Sequence, residues 1–248
     1  MRIDRRYLQV EEPFIAEDLR QMKFAKNYNY WLFSLLQPFL GNRILEIGPG
    51  IGNLTKHFIE YAEYIEGIEP NPVCAELLLE AFRVHQKFSL QKIRVEDSDV
   101  ELLTTKHFDT IVCVNVLEHI NNDFDTLVQF KKILTVNGNL VLLVPATPWA
   151  YGPIDAAVGH FRRYSMKSLN TTLKKAGFDL VFSQYSNLVG LIGWTFNSRI
   201  RKAAKQNDFQ IRVFDYLVPI LSCIERIIKP PLGLSIIAIG RKTNDIEI

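Results

Sequence analysis

Short apolar runs alternate with helix-like stretches along most of the chain, and this alternation constrains the fold more than any other feature of the sequence. The apolar runs lie at residues 43–48, 64–70, 91–97, 108–116, 139–146, 179–186 and 234–242. Strands that alternate with helices are typical of a parallel sheet covered by helices on both faces. The sequence therefore predicts an α/β protein with a Rossmann-like, doubly wound sheet of seven strands.

The chain divides into four segments by composition and pattern. Residues 1–40 include a helical pattern that Pro38 and Gly41 close, and we expect an N-terminal helical cap. Residues 41–187 carry the strand–helix repeat and form the predicted core. Residues 188–232 form an apolar and aromatic helical insertion, with cations at Arg199, Arg201, Lys202 and Lys205 among others. Residues 233–248 supply the last strand and a tail.

Four roles stay open for the 188–232 insertion. It could form a lid over a site, a face of a homodimer, a contact with a membrane surface, or an ordinary cover for the sheet.

Length, charge and cysteine content exclude several classes of protein. A chain of 248 residues suits one large α/β domain, and its net charge of +2 gives no argument for nucleic-acid binding. The three cysteines show no metal-ligand spacing, so we expect no metal site. The N-terminus lacks the apolar core of a signal peptide, and no apolar stretch approaches the roughly 18 residues of a membrane span. We therefore expect a cytoplasmic protein.

A glycine-rich turn joins the first apolar run to the helix-like stretch that follows it. The turn reads EIGPGIG over residues 46–52. Glycine allows a positive φ and a close approach of the backbone to a ligand, and the helix beyond presents free N–H groups. A dinucleotide fingerprint that starts at Gly48 needs its third glycine at position 53, which is Asn53. The spacing thus disfavours a nicotinamide cofactor.

The second apolar run ends in Glu69. A carboxylate at the end of this strand can accept hydrogen bonds from both hydroxyls of a ribose.

Taken together, these segments resemble motif I and the following acidic motif of class I S-adenosylmethionine (SAM)-dependent methyltransferases. The similarity continues through FDTIVCVNVLEHI, residues 108–120, and on to Ala176-Gly177-Phe178, so that it covers roughly residues 28–183. The resemblance implies SAM as the cofactor, methyl transfer as the reaction, and a sheet of six parallel strands and one antiparallel strand.

The resemblance also implies which residues bind the cofactor. Three glycines line the methionine and ribose portion, and a carboxylate lies beneath it: Gly48, Gly50, Gly52 and Glu46. Glu69 holds the ribose hydroxyls, and Pro70 flanks the adenine. The adenine amino group and the adenosine or methionine part are met by residues after the third and fourth strands: Asp97, Ser98, Asn115 and Val116. Tyr28 closes over the cofactor or packs as a core aromatic.

The Leu117-Glu118-His119 segment resembles a structural helix start of the family, and an acid–base role for Glu118 and His119 is the alternative. The Asn-Pro-Pro-Tyr/Phe loop of many nucleic-acid amino-methylases is absent after the fourth strand, where the sequence reads Asn115-Val116-Leu117-Glu118. Its absence weighs against a nucleic-acid base as the substrate.

A loop framed by glycine and proline follows the fifth strand and concentrates aromatic and basic side chains. Ligands of open α/β sheets lie beyond the carboxyl ends of the strands, so we expect this loop to contact the substrate. The candidate residues are Trp149, Tyr151, His160, Arg162, Arg163 and Tyr164. His160 is the candidate base, and either arginine could bind a carboxylate or phosphate. In the alternative interpretation, one arginine pairs with Asp155 or another loop acid and His160 caps the following helix.

The GHxRRY run at residues 159–164 resembles a bacterial subgroup of the family that acts on small molecules. We therefore predict methyl transfer from SAM to oxygen or nitrogen of a small or medium-sized acceptor, with acidic metabolites and natural-product intermediates among the candidates. The alternatives are a non-catalytic SAM-fold scaffold subunit and a nicotinamide-dependent oxidoreductase. We expect no nucleic-acid partner, and a homodimer stays open.

Overall fold

The computed structural model describes residues 19–20, 22–197 and 208–244. Seven strands form one sheet in the order β3-β2-β1-β4-β5-β7-β6. In chain order the strands are β1 (Arg43–Ile47), β2 (Tyr64–Ile68), β3 (Phe88–Gln91), β4 (Thr110–Val114), β5 (Asn139–Pro145), β6 (Asp179–Ser186) and β7 (Ser235–Arg241). Strand β7 runs antiparallel to both β5 and β6, and the other pairs are parallel. The predicted Rossmann-like sheet of six parallel strands and one antiparallel strand is confirmed.

Nine α-helices lie within the described residues and connect or flank the strands. They are α1 (Lys26–Leu36), α2 (Thr55–Tyr61), α3 (Pro72–Phe82), α4 (Val100–Thr104), α5 (Asp123–Ile133), α6 (Pro153–Ala157), α7 (Met166–Lys175), α8 (Leu188–Thr195) and α9 (Asp208–Ile227). Short 3-10 helices add single turns at Gln37–Phe39, Val95–Asp97, Leu117–His119 and Pro148–Ala150. No helix in this described part of the chain is both long and apolar enough to cross a bilayer.

The central strands are buried on both faces, which explains their nearly continuous apolar sequence. Alternate residues of β4 and β5 enter two different hydrophobic clusters. Ile111 and Leu142 belong to the cluster that includes α5 and α7, and Val112 and Val141 belong to the cluster that includes α1 and α2. The alternation of side chains along each strand therefore builds one core on each face of the sheet.

The predicted boundaries of the third strand are wrong. We expected residues 91–97, whereas β3 spans Phe88–Gln91 and the chain then turns into the 3-10 helix at Val95–Asp97. Phe88 and Leu90 alternate and pack against one core cluster. After Gln91, every second residue is charged: Lys92, Arg94 and Glu96. None of these side chains can pack in that core.

Two segments, residues 1–40 and 188–232, are predicted to be helical. Within the described residues α1 occupies the first of these and α8 and α9 the second, and α9 packs against α1. Four of the insertion's cations, Arg199, Arg201, Lys202 and Lys205, lie outside the described residues. The division of the chain into four segments stays a prediction.

Candidate active site

A cleft of about 1070 Å³ lies at the carboxyl ends of β1, β2 and β4. Residues that directly follow these three strands line it, among them Gly48, Glu69 and Asn115. The loop after β5 closes the other side with Tyr151 and His160. This is the position at which open α/β sheets bind their ligands, because the strand order changes direction between β1 and β4.

The glycine turn brings backbone into the cleft where side chains would not fit. Gly48 and Gly50 have φ values of +66° and +59°, and both line the cleft. A Cβ on Gly48 would lie 2.4 Å from Cγ2 of Val116, so only glycine is compatible with the neighbouring strand end.

Gly52 was predicted to line the cofactor, but it is not among the residues that line the cleft. Its φ is +85°, and a Cβ there would lie 2.5 Å from the Phe82 ring of α3. Gly52 therefore permits the turn to pack closely against α3.

Glu69 is held rigidly at the end of β2. Its Oε2 accepts the backbone N–H of Gly50 and its Oε1 accepts that of Asn71, each at 2.9 Å. The side chain is buried, and burial raises the pKa of its carboxyl group. Each oxygen has a second lone pair, which suits two adjacent hydroxyl donors such as those of a ribose. The two acceptor oxygens of Glu69 thus fit the two hydroxyls of the SAM ribose.

Glu46 lies at the floor of the same cleft. Its Oε2 accepts a hydrogen bond from Thr55 Oγ1 at 2.8 Å. Burial, together with the neighbouring charge of Glu69, raises the pKa of Glu46 to about 8. Tyr28 lines the cleft from α1, and burial raises the pKa of its hydroxyl to about 12.

The residues predicted to meet the adenine amino group lie outside the cleft lining. Asp97 is exposed at the end of a 3-10 turn, and Ser98 Oγ donates to the carbonyl of Val95 at 2.6 Å. The shorter β3 explains this displacement, since the turn at its end presents other residues. Arg94, Val95 and Glu96 line the cleft instead. Pro70, Asn115 and Val116 lie in the lining as predicted.

His160 sits on the cleft wall in contact with two buried carboxylates. Its Nδ1 lies 2.8 Å from Asp155 Oδ1, and its Nε2 lies 3.7 Å from Glu118 Oε1. Burial alone would raise the pKa of Asp155, but the hydrogen bond from His160 and the charge of Arg163 lower it. An ionised carboxylate can only accept, so Nδ1 donates to Asp155, and in the neutral ring the lone pair is then on Nε2.

Both arginines of the loop are paired with aspartates. Arg163 Nε donates to Asp155 Oδ1 at 2.8 Å, and its guanidinium lies over the Trp194 ring at 4.5 Å. Arg162 Nη1 lies 2.8 Å from Asp123 Oδ2. The structure therefore agrees with the alternative in which acidic residues form ion pairs with the arginines. His160 does not cap the next helix, because Ser165 does so by accepting the N–H of Ser168.

Three of the predicted substrate-contacting residues lie outside the cleft lining: Trp149, Arg162 and Tyr164. Tyr164 is buried and donates to Asp123 at 2.7 Å, so its hydroxyl and Arg162 both turn toward α5. Trp149 is half exposed on the 3-10 turn, and Trp194 of α8 lines the cleft instead. Tyr151, His160 and Arg163 lie in the lining.

Glu118 is the polar group of the cleft that sequence reasoning treated as structural. It lies in the expected single helical turn, yet it is fully buried and neither carboxylate oxygen has a hydrogen-bond partner among the residues that the structure describes. Burial raises its pKa to about 7. The ring of His119 lies 4.7 Å from that of His160, and burial lowers the pKa of His119 to about 3.

The described part of the cleft also holds a group of side chains that could bind a metal ion. Potential ligand atoms of Glu118, His119 and His160 lie within 4.8 Å of one another. This arrangement comes from long-range folding, and only the adjacent Glu118-His119 pair was visible in the sequence.

The sheet topology, the glycine turn and the seating of Glu69 define a Rossmann-like domain that binds a ribose-containing cofactor. A family profile described as a methyltransferase domain matches residues 19–182, so the chain belongs to this family. The chain carries a class I SAM-dependent methyltransferase domain, and SAM is its cofactor.

Curated relatives match part of the chain. A tRNA U34 carboxymethyltransferase of Methylococcus capsulatus is 28% identical over 58% of this chain and 46% of its own length. A ubiquinone biosynthesis O-methyltransferase of Glaesserella parasuis is 31% identical over 41% of this chain and 44% of its own length. The chain thus spans less than half the length of these two relatives.

A solved structure covers nearly the whole chain. It is the Burkholderia thailandensis 1,6-didemethyltoxoflavin-N1-methyltransferase with bound 1,6-didemethyltoxoflavin and S-adenosylhomocysteine. The TM-score is 0.60 at 18% identity, over 98% of this chain and 92% of that one. At this identity the likeness concerns the fold.

Proposed function

We propose that the protein transfers the methyl group of SAM to an oxygen or nitrogen atom of a small or medium-sized acceptor, with His160 as the proton acceptor. The observation that carries the proposal is the placement of His160 on the wall of the cleft that also contains the glycine turn and Glu69. A single cavity thus has donors and acceptors for the cofactor at one end and a base at the other.

SAM supplies an electrophilic methyl group on a sulfonium, and the protein supplies position and proton removal. Gly48 and Gly50 give the backbone surface on which the cofactor lies, and Glu69 accepts from its ribose hydroxyls. Asp155 holds the His160 ring by Nδ1, at 2.8 Å. The lone pair of Nε2 takes the acceptor proton, and the carboxylates of Asp155 and Glu118 then stabilise the imidazolium.

The proposed acceptor is a hydroxyl or amine compound with a largely apolar body. Ile154, Ala157, Val158 and Phe161 line the cleft near His160 and form an apolar wall. An acidic acceptor, which the two arginines first suggested, gains no support from the structure because both guanidinium groups already pair with aspartates. An apolar wall beside a positioned polar group suits orientation of an uncharged part of a ligand.

The relatives support a small-molecule acceptor in part. The ubiquinone biosynthesis enzyme is an O-methyltransferase and the Burkholderia enzyme is an N-methyltransferase of a small molecule. The Methylococcus relative acts on tRNA. The net charge of +2 gives no electrostatic reason to extend that substrate to this chain.

The experiment measures methyl transfer from [methyl-³H]SAM to a panel of phenols, alkyl amines and small carboxylic acids. We expect the wild type to label a phenol or an amine and His160→Asn to reduce turnover by about 10²–10⁴-fold. S-adenosylhomocysteine should bind both proteins equally in calorimetry, because His160 is expected to act on the acceptor.

The matched control is His85→Asn, since His85 is exposed on the connection after α3. It should retain wild-type turnover. Equal turnover of the His160→Asn and His85→Asn proteins would show that His160 is not the base. Labelling of carboxylic acids alone would contradict the proposed acceptor class.

A further inference from the structure

Helices α8 and α9 lie side by side in antiparallel orientation. At one end, the carboxylate of Glu225 on α9 accepts the backbone N–H groups of Asn187 and Leu188, at 2.8 and 2.7 Å, where α8 begins. At the other end, Asn197 just beyond α8 donates to the side chain of Gln210 in the first turn of α9, at 2.9 Å. These two anchor points fix the helices as one layer.

The outer side of this layer is unusually apolar. Residues at helical spacing along both helices, and one just past α9, are between 39% and 82% exposed. We call them the α8–α9 face: Val189, Ile192, Phe196, Phe209, Val213, Tyr216, Leu217, Ile220, Ile224, Ile227 and Ile228. Scattered exposed apolar residues are normal, but a contiguous set of this size on one layer marks an interaction site.

The charged residues of α9 whose side chains are described divide by sign. Asp215 and Glu225 turn inward, where Asp215 accepts the backbone N–H of Tyr28 at 2.8 Å and Glu225 caps α8. The cations Arg212, Arg226 and Lys229 are exposed beside the α8–α9 face. The surroundings of the face are therefore cationic along the described part of α9 and the residues that follow it.

We propose that the α8–α9 face docks on an anionic membrane surface, with both helices lying in the plane of the interface. An apolar helix face with adjacent cations is the pattern of interfacial helices, in which the apolar side chains enter the headgroup boundary and the cations contact anionic lipid. In a symmetric dimer through this face the exposed cations of two copies would approach each other, whereas lipid phosphates neutralise them. Neither helix is long and apolar enough to span the bilayer.

The docking surface is continuous with the wall of the cleft. Trp194 of α8 lines the cleft, and its indole N–H donates to the carbonyl of Ala150 at 3.2 Å. Ile192 and Phe196, two residues before and two after it, belong to the α8–α9 face. Helix α8 would thus separate the membrane from the cleft by the thickness of one helix. This inference goes beyond the methyl-transfer proposal and does not depend on it.

Co-sedimentation of the full chain with vesicles tests the proposal. The two probes are vesicles of phosphatidylcholine alone and vesicles of phosphatidylcholine and phosphatidylglycerol at a 3:1 ratio. We expect binding to the anionic vesicles, and Ile220→Glu/Ile224→Glu should weaken it by at least about tenfold by placing two carboxylates in the face. The matched control is Val84→Glu/Val136→Glu, at two exposed positions outside the face, and it should bind as the wild type does.

A second pair of variants tests the cations. Arg226→Gln/Lys229→Gln should weaken binding to the anionic vesicles by about fivefold for each charge removed, with little effect on neutral vesicles. Circular dichroism and S-adenosylhomocysteine binding verify that every variant is folded.

Two results would overturn the proposal. One is that the wild type does not sediment with anionic vesicles. The other is that light scattering finds a wild-type dimer that Ile220→Glu/Ile224→Glu dissociates while vesicle binding is unchanged, which would make the face a subunit interface.

Discussion

Two adjacent arginines form ion pairs of the same length in very different surroundings, and this contrast gives a quantitative prediction. Arg163 pairs with Asp155 at 2.8 Å, with side chains 1% and 0% exposed. Arg162 pairs with Asp123, also at 2.8 Å, with side chains 29% and 18% exposed. The perturbation is Asp155→Asn, and Asp123→Asn is the matched control.

The expected cost differs because only one of the substitutions leaves a buried charge without compensation. In Asp155→Asn the Arg163 guanidinium keeps the Ala146 carbonyl at 3.0 Å and the Trp194 ring, but it loses the carboxylate that it pairs with. Removing one partner of a buried pair typically costs about 3–5 kcal/mol. The partly exposed Arg162–Asp123 pair is screened by water, so its loss should cost about 1 kcal/mol or less.

Urea denaturation followed by circular dichroism at pH 7 measures the two free energies of unfolding. For a chain of this length, about 3–5 kcal/mol should lower Tm by roughly 10 °C, against a few degrees for the control. If the free energies of unfolding of the two variants agree within about 1 kcal/mol, the argument from burial is wrong.

Two further predictions concern the cofactor end of the cleft. Because burial raises the pKa of Glu46 from 4.5 to about 8, the folded protein retains a proton that the unfolded chain releases, and the free energy of unfolding should fall as pH rises from about 4.5 through 8. Thermal melts of the ligand-free protein should show that Glu46→Gln removes this part of the decline, by a few kcal/mol at most; an unchanged slope would contradict it. Gly48→Ala places a methyl group 2.4 Å from Val116 at a φ of +66°, and it should cost about 1–3 kcal/mol and weaken S-adenosylhomocysteine binding at least about tenfold in calorimetry. Gly193→Ala, where an added Cβ meets nothing within 4 Å, should instead leave binding unchanged and stabilise α8 by up to about 1 kcal/mol; equal losses in both variants would refute the steric argument.

Features encoded by neighbouring residues could be predicted from the sequence. The apolar runs specify the buried strands because every residue of such a run enters a core on one face or the other. The glycine turn and Glu69 follow their strands directly, so the sheet itself brings them together: β1 and β2 are adjacent and in register, with Ile47 opposite Ile68. Topology converts a local pattern into a site without needing any particular side-chain conformation.

The weakly patterned parts of the chain could not be placed in this way. The edge strand β3 has four residues, and one pair of alternating apolar side chains does not fix a boundary when similar residues follow. Because this one boundary was misplaced, Asp97 and Ser98 were predicted to meet the adenine, whereas Arg94, Val95 and Glu96 line the cleft. Gly52 was assigned to the cofactor because its spacing is that of the family, whereas its neighbour in space is Phe82.

The sequence by itself determined the sheet, the glycine turn, the acidic residue after β2 and the presence of a polar loop beyond β5. Only the tertiary structure decided which groups the charged side chains of that loop pair with. Tyr164 and Asp123 are 41 residues apart in the sequence. Asp123 accepts a hydrogen bond from Tyr164 and pairs with Arg162, so both side chains point away from the cleft. Asp155 takes Arg163 and orients His160, and Glu118 keeps no hydrogen-bond partner within the described part of the chain. The physical reason is that strand and turn preferences are properties of short segments, whereas the pairing of buried charges depends on distances that exist only after the chain has folded.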